Sequence, residues 1–154
     1  MNQQLTELSR AIRAALSEKD AARDAAVRRS RELIRLCSEC IRAIHRHDWN
    51  EADDKMKLIQ SAASEMREGV AAYPDLYHSG YTQDAMKEVV EAFITSAIIR
   101  EQPLPTPQAL QVEDSTYLNG MAEAATELRR FILDMMRRDD SHSDEAERLL
   151  AWMD

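Results

Sequence analysis

The chain has 154 residues, 44% of them hydrophobic and 31% charged, with a formal net charge of -8. That length suits a single domain over residues 1–154 with one core, and the excess of acid excludes a surface coated with positive potential, the footprint of a strong duplex-DNA binder. Only three Gly and four Pro occur among plentiful Ala, Leu, Glu, Arg and Met, so the composition predicts an all-α fold.

From Leu5 to about His47 neither Gly nor Pro occurs, and apolar or small residues recur at 5, 8, 12, 15, 22, 26, 33, 37, 41 and 44. This three-four alternation predicts one very long N-terminal helix, with Asp20 or Asp24 marking where a break would fall. Its polar face carries Arg28, Arg31, Arg35, Arg42 and Arg46 in a narrow stripe opposite Val27, Leu33, Ile34, Cys37, Ile41 and Ile44. Such a stripe suits a phosphate backbone, and equally a solvated face paired with Glu32 and Glu39. Cys37 and Cys40, followed by His45 and His47, approximate a zinc-ligand spacing. On a continuous helix, however, neither His falls beside the cysteines, and Cys37 belongs to the apolar stripe.

Asp48 with Glu51 predicts a capping box for a second helix that runs to about Ala72, before Tyr73-Pro74. Residues 73–81 read as a loop, and Thr82 as the cap of a third helix reaching Arg100. On that helix Met86, Val89, Val90, Phe93 and Ala97 share an apolar side, with Asp84, Glu88, Glu91 and Thr95 opposite. Pro103, Pro105 and Pro107 then forbid continuous helix, and Thr106 starts a single turn. A fourth long helix follows from about Glu113 to Arg138, with Leu118, Met121, Ala125, Leu128, Ile132 and Met135 as its apolar stripe and Glu123, Glu127, Arg130 and Asp134 across from it. Ser141 with Asp144 caps a short fifth helix. The longest apolar run, Ala92 to Ile99, is far short of the ~20 residues of a membrane span, so no membrane partner is expected. Two cysteines without an apolar leader point to a reducing cytoplasm.

The spacings from Glu88 to Glu91 and from Glu123 to Glu127 put each acid pair on one side of its helix, about one turn apart. Two such helices facing each other would present four oxygen-donor groups, a set suited to a hard divalent cation. The competing reading makes these acids the solvated faces of amphipathic helices. No Gly-rich phosphate loop, nucleophile elbow or Glu-x-x-His pair occurs, which leaves P-loop, hydrolase and di-iron readings without support.

Five segments in order carry a family resemblance: Arg28-Arg29-Ser30-Arg31-Glu32-Leu33-Ile34; Ala43-Ile44-His45-Arg46; Tyr73-Pro74-Asp75-Leu76; Lys87-Glu88-Val89-Val90-Glu91-Ala92; and Tyr117-Leu118-Asn119-Gly120-Met121-Ala122-Glu123 with Glu127-Leu128-Arg129-Arg130. Over about residues 23 to 153 the chain resembles the translin and Trax family, its compact prokaryotic or archaeal members above all. The resemblance implies a translin-like helical bundle that assembles into a hollow homo-oligomer and acts on single-stranded RNA. Trax-type members are metal-dependent endoribonucleases, and translin-type members bind nucleic acid without cleaving it. The family's catalytic and metal-binding acids map to Glu88, Glu91, Glu123 and Glu127, with Mg²⁺ or Mn²⁺ as the ion, and Arg28, Arg31, Arg35, Arg42, Arg46 and Arg130 would carry the RNA backbone. The expected function is therefore a metal-dependent endoribonuclease.

Three departures accompany the resemblance. Glu123 stands where the family usually has Asp, a methylene that displaces a ligand by about 1 Å. Thr126 stands where Gly is common, and the chain ends at Trp152-Met153-Asp154 where relatives usually continue into a further basic helical segment. The alternatives are a non-catalytic assembly that binds single-stranded RNA or DNA, and an all-α Mg-dependent nucleoside-triphosphate pyrophosphohydrolase, against which the four-residue spacing of the second acid pair speaks.

Overall fold

The computed structural model describes residues 2–137 and 144–153. Helix α1 (Asn2–His45) runs unbroken for 44 residues, about 66 Å at 1.5 Å per residue. There is no break at Asp20 or Asp24, because nothing in this stretch lacks a side chain or an N–H donor. It is followed by α2 (Trp49–Val70), α3 (Pro74–Tyr77), α4 (Gly80–Ile99), α5 (Pro107–Leu110), α6 (Asp114–Arg137) and α7 (Asp144–Ala151), with no strand among the described residues. The expected positions of Arg138 as a helix end and Ser141 as a cap lie outside the described residues.

Local chemistry sets the turns. At the end of α1, His47 takes a left-handed φ of 57°, while Asp48 N–H donates to Ala43 O at 3.0 Å and His47 N–H to Ile44 O at 3.0 Å. This is the Schellman reversal that usually uses Gly. Asp48 then caps α2, accepting from Glu51 N. The capping box is half formed, since the Glu51 carboxylate takes Arg46 at 2.5 Å instead of turning back to Asp48. Residues 73–81, expected to be a loop, contain the one-turn helix α3, which Pro74 starts at its first position. The N-cap of α4 lies earlier than expected, at Ser79 rather than Thr82. Thr82 is fully buried and donates to Leu76 O at 2.7 Å, so it ties α3 to α4 from inside the helix. Thr106 caps α5 by accepting from Ala109 N, as its position before Pro107 predicts.

Helix α4 occupies the centre, packed between α1 and α6, and every residue from 89 to 99 is buried. One apolar cluster joins Leu33, Cys37 and Ile44 of α1, Ile59 and Met66 of α2, Val90 and Ile94 of α4, Leu128 and Phe131 of α6 and Leu149 of α7. Arg148 closes the end of this core by donating to the last carbonyls of α4, Ile98 O at 2.8 Å and Ile99 O at 3.3 Å. The N-terminal part of α1 extends past the bundle, with Leu5, Leu8, Ile12 and Leu16 exposed.

Both expected helix faces need correction. From residue 89 to 99 the central α4 has no solvated side, so Glu91 and Thr95, expected opposite the apolar stripe, are buried, while Glu88 is half-buried and Asp84 stays exposed as expected. On α6 the buried set is Thr116, Gly120, Ala124, Leu128, Phe131 and Ile132, rotated by roughly 70° from the expected stripe on a helical wheel. Leu118 and Met121 are exposed instead. Small residues decide this: a Cβ on Gly120 would lie 2.5 Å from Val90 Cβ and 2.9 Å from Lys87 O, so α6 turns its Gly120 and Ala124 side to α4 and approaches it closely.

Candidate metal centre

The close crossing at Gly120 brings Lys87, Glu88 and Glu91 of α4 alongside Glu123 and Glu127, which follow Gly120 by one and two turns on α6. One ligand oxygen from each of Glu88, Glu91 and Glu123 lies within 4.8 Å of the others. Glu91 is only 7% exposed, and Glu88 and Glu123 are half-buried. The acids thus line an inter-helix seam and not an open surface. All donors are carboxylate oxygens, the chemistry a hard divalent cation takes.

The electrostatics of the seam are unbalanced. Burial first, and then the like charges of Glu88, Glu123 and Glu127, push the Glu91 carboxyl up to about 8. Lys87 supplies one opposing charge, its Nζ at 2.6 Å from Glu123 Oε1 and 3.5 Å from Glu88 Oε1. No cationic side chain among the described residues pairs with Glu91. A buried carboxyl group beside two converging carboxylates, with no counter-charge of its own, is what a cation site requires of its protein.

Glu127 stands at the edge of the three-acid group and is engaged differently. Its Oε2 lies 2.7 Å from His45 Nε2. That hydrogen bond, ahead of the opposing effect of burial, holds the Glu127 carboxyl below the usual carboxylate range. Spacing points to His45 only as a poorly placed zinc ligand and gives no signal for Lys87, although both lie in the segments that carry the family resemblance. A His one step from the apolar stripe of α1 gives no periodic signal, and it reaches the seam only because α1 packs beside α4 and α6.

All six arginines expected to carry RNA are exposed. Arg35 is held by Glu32 and Glu39, each at 2.6 Å, and Arg46 by Glu51. Arg28, Arg31 and Arg42 have no ion pair among the described residues, and Arg130 acts on Glu127 through its charge. Arg42 precedes His45 by three residues on α1, about one helical turn from the side chain that reaches the acid seam. Cys37 and Cys40 are both core residues. Burial raises both thiols, Cys40 to about 12, and Cys40 Sγ donates to Ala52 O at 3.7 Å. His45 is bound to Glu127 and the His47 ring packs 5.2 Å from Phe131, so neither joins the cysteines.

No protein-family model matches the chain. An uncharacterized protein of Methanocaldococcus jannaschii is 30% identical over 141 residues, covering 90% of this chain, which spans 61% of that relative's length. Among solved structures, AfC3PO superposes with a TM-score of 0.82 at 30% identity over 92% of this chain and 72% of its own. AfC3PO in complex with duplex RNA gives a TM-score of 0.74 at 32% identity, with the same coverage of both chains. The apo form of NeC3PO, at 22% identity, TM-score 0.80, and coverage of 92% and 74%, shares the fold. A long first helix, a buried central helix with Glu-x-x-Glu and a Gly-crossed partner helix with its own acid pair thus occur in a chain 30% identical to AfC3PO over nearly its whole length; the chain belongs to the translin/Trax family.

Proposed function

We propose that this protein is an RNA-binding translin-like assembly with metal-dependent endoribonuclease activity on single-stranded RNA. The observation that carries the reading is the convergence of Glu88, Glu91 and Glu123 within 4.8 Å, and the duplex-RNA complex of AfC3PO supports RNA as the ligand. Glu88, Glu91 and Glu123 would hold Mg²⁺ or Mn²⁺, with Glu127 as the fourth carboxylate of the set. When bound, such an ion neutralises charge on the scissile phosphate and lowers the pKa of the attacking water, so that hydrolysis leaves a 5′-phosphate and a 3′-hydroxyl.

The chain's own residues do the rest. Burial of Glu91 keeps bulk water from the inner side of the seam, Lys87 holds the Glu123 carboxylate in place, and Arg28, Arg31 and Arg42 are free to engage successive phosphates along α1. Assembly into a hollow homo-oligomer would enclose the seam and select flexible single strands. Incubation of a labelled single-stranded oligoribonucleotide with Mn²⁺, Mg²⁺ or chelator tests the reading. We expect cleavage with either ion, 5′-phosphate ends, and loss of activity in Glu88→Gln, Glu91→Gln and Glu123→Gln variants. Cleavage that survives chelator, or that survives all three substitutions, sinks it.

Lys87 favours a second reading, because its ammonium already neutralises part of the cluster and Glu123 replaces the family's Asp. In that reading the assembly binds single-stranded RNA or DNA without cutting it. Undiminished RNA binding with no metal-dependent cleavage would establish it over the first.

A further inference from the structure

The acids of the seam come from α4 and α6, but α1 places His45 against them. We propose that His45 is a positioning residue of this site: by donating Nε2–H to Oε2 of Glu127 it holds that carboxylate beside Glu88, Glu91 and Glu123 as the fourth donor group. The proposal rests on the reading of the cluster as a cation site.

Both partners are largely withdrawn from solvent, with 11% of the His45 side chain and 17% of the Glu127 side chain exposed, at a separation of 2.7 Å. Glu127 has no other hydrogen bond among the described residues. His45 Nδ1 is buried without a hydrogen-bond partner, since Asp134 Oδ2 at 3.9 Å is too distant to be one. The ring therefore makes one hydrogen bond, and it is with the seam. Its orientation is set by structure on two sides. Phe131 packs against it at 5.7 Å, and His45 is the last residue of α1 before the reversal at His47.

Such a partner is needed because Glu127 is flexible and like-charged with its neighbours. Glu127 and Glu91 act on each other as like charges when both are ionised, and the exposed Arg130 attracts the Glu127 carboxylate, so an untethered Glu127 is drawn away from the three acids and toward water. A donor on α1 opposes that drift before any ion binds, the role that outer hydrogen bonds have around ligating carboxylates.

The test is Mn²⁺ titration calorimetry on the full chain, with thermal melts alongside, for the parent and for His45→Leu, His45→Gln, Glu127→Gln and the His45→Leu/Glu127→Gln double variant. We expect Glu127→Gln to weaken Mn²⁺ binding, and His45→Leu to weaken it about tenfold. His45→Gln, whose amide reaches the Nε2 position, should stay within about threefold of the parent, and the double variant should bind as Glu127→Gln does. Parental affinity in His45→Leu overturns the proposal, as does an equal loss in His45→Gln or additive losses in the double variant. Should the melts show that His45→Leu is unfolded, His45→Asn replaces it: its shorter amide reaches only the Nδ1 position, so it should lose affinity where His45→Gln does not. A parent that binds no Mn²⁺ refutes the cation site itself, whereas a parent that binds with a silent His45 refutes only this inference.

Discussion

Glu91 and Glu127 lie in the same seam, yet their protons are driven in opposite directions. Burial and like charge raise Glu91 to about 8 from its ordinary 4.5, so below pH 4.5 both folded and unfolded chains hold its proton. Between 4.5 and 8 the unfolded chain releases that proton first, and stability falls as pH rises. Glu127 is lowered by His45, so its contribution is present above the ordinary carboxylate value and is lost only as pH drops beneath it. The two windows do not overlap. In chelator, Glu91→Gln should therefore remove a loss of stability at pH 8 while changing little at pH 4.5. Parallel melting curves for parent and variant across pH 4.5 to 8 would show that Glu91 is ordinary. Added Mn²⁺ should stabilise the parent more at pH 8 than at pH 5 and leave Glu91→Gln nearly unaffected, which differential scanning fluorimetry reads directly.

At the scale of the element, the crossing of α4 and α6 is what assembles the site. Gly120 is the contact point, with Val90 and the Lys87 carbonyl where a side chain would be. Gly120→Ala gains up to about 1 kcal/mol of helix propensity but must push α6 away from a backbone atom and from a β-branched side chain that has few rotamers. We expect a net destabilisation of about 1–3 kcal/mol in urea melts, together with weaker Mn²⁺ binding because Glu123 and Glu127 move with the helix. A variant as stable as the parent would mean the crossing relaxes at no cost. Helix α1 is the other determining element, since its arginines differ in availability. Arg35 is already held by two acids, whereas Arg31 and Arg42 are unpaired among the described residues. Replacing Arg31 and Arg42 together should flatten the log-log salt dependence of single-stranded RNA binding by about 0.7 per lost contact. Replacing Arg35 alone should change it less, and an unaltered slope in the double variant would return the stripe to a solvated face.

For the whole molecule, the exposed apolar residues are arranged and not scattered. Leu5, Leu8, Ile12 and Leu16 follow a three-four repeat on the part of α1 that extends past the core, and Leu118, Met121, Leu133 and Met136 lie along the outside of α6. Such stripes in a chain of 17.6 kDa suit burial against further copies. Light scattering should give a mass several times that of one chain, and Leu8→Lys with Ile12→Lys should reduce it while leaving the melting temperature close to the parent's, because neither residue touches the core. A parent that scatters as a monomer at micromolar concentration removes the assembly and the enclosed seam with it. No helix of the described residues is long and apolar enough to cross a membrane.

Local rules were enough for much of this protein. The absence of Gly and Pro before residue 69 makes α1 long, Asp48 and Thr106 cap where their side chains can reach an N–H, and the order of the five motif segments carries the family. These features depend on neighbours in the chain, so periodicity and residue type reveal them. Which faces turn inward depends on partners that are distant in sequence. Glu88 and Glu91 belong to the polar side of a helical wheel, but tertiary packing put the C-terminal half of α4 at the centre, burying Glu91 and Thr95 and half-burying Glu88. The α6 stripe rotated because the close approach at Gly120 outweighed the burial of Leu118 and Met121. His45, 82 residues from Glu127, entered the seam only through the packing of α1. The acids were legible as two pairs; the asymmetric site they form, one carboxyl group buried and another held by a histidine, arose where three helices meet.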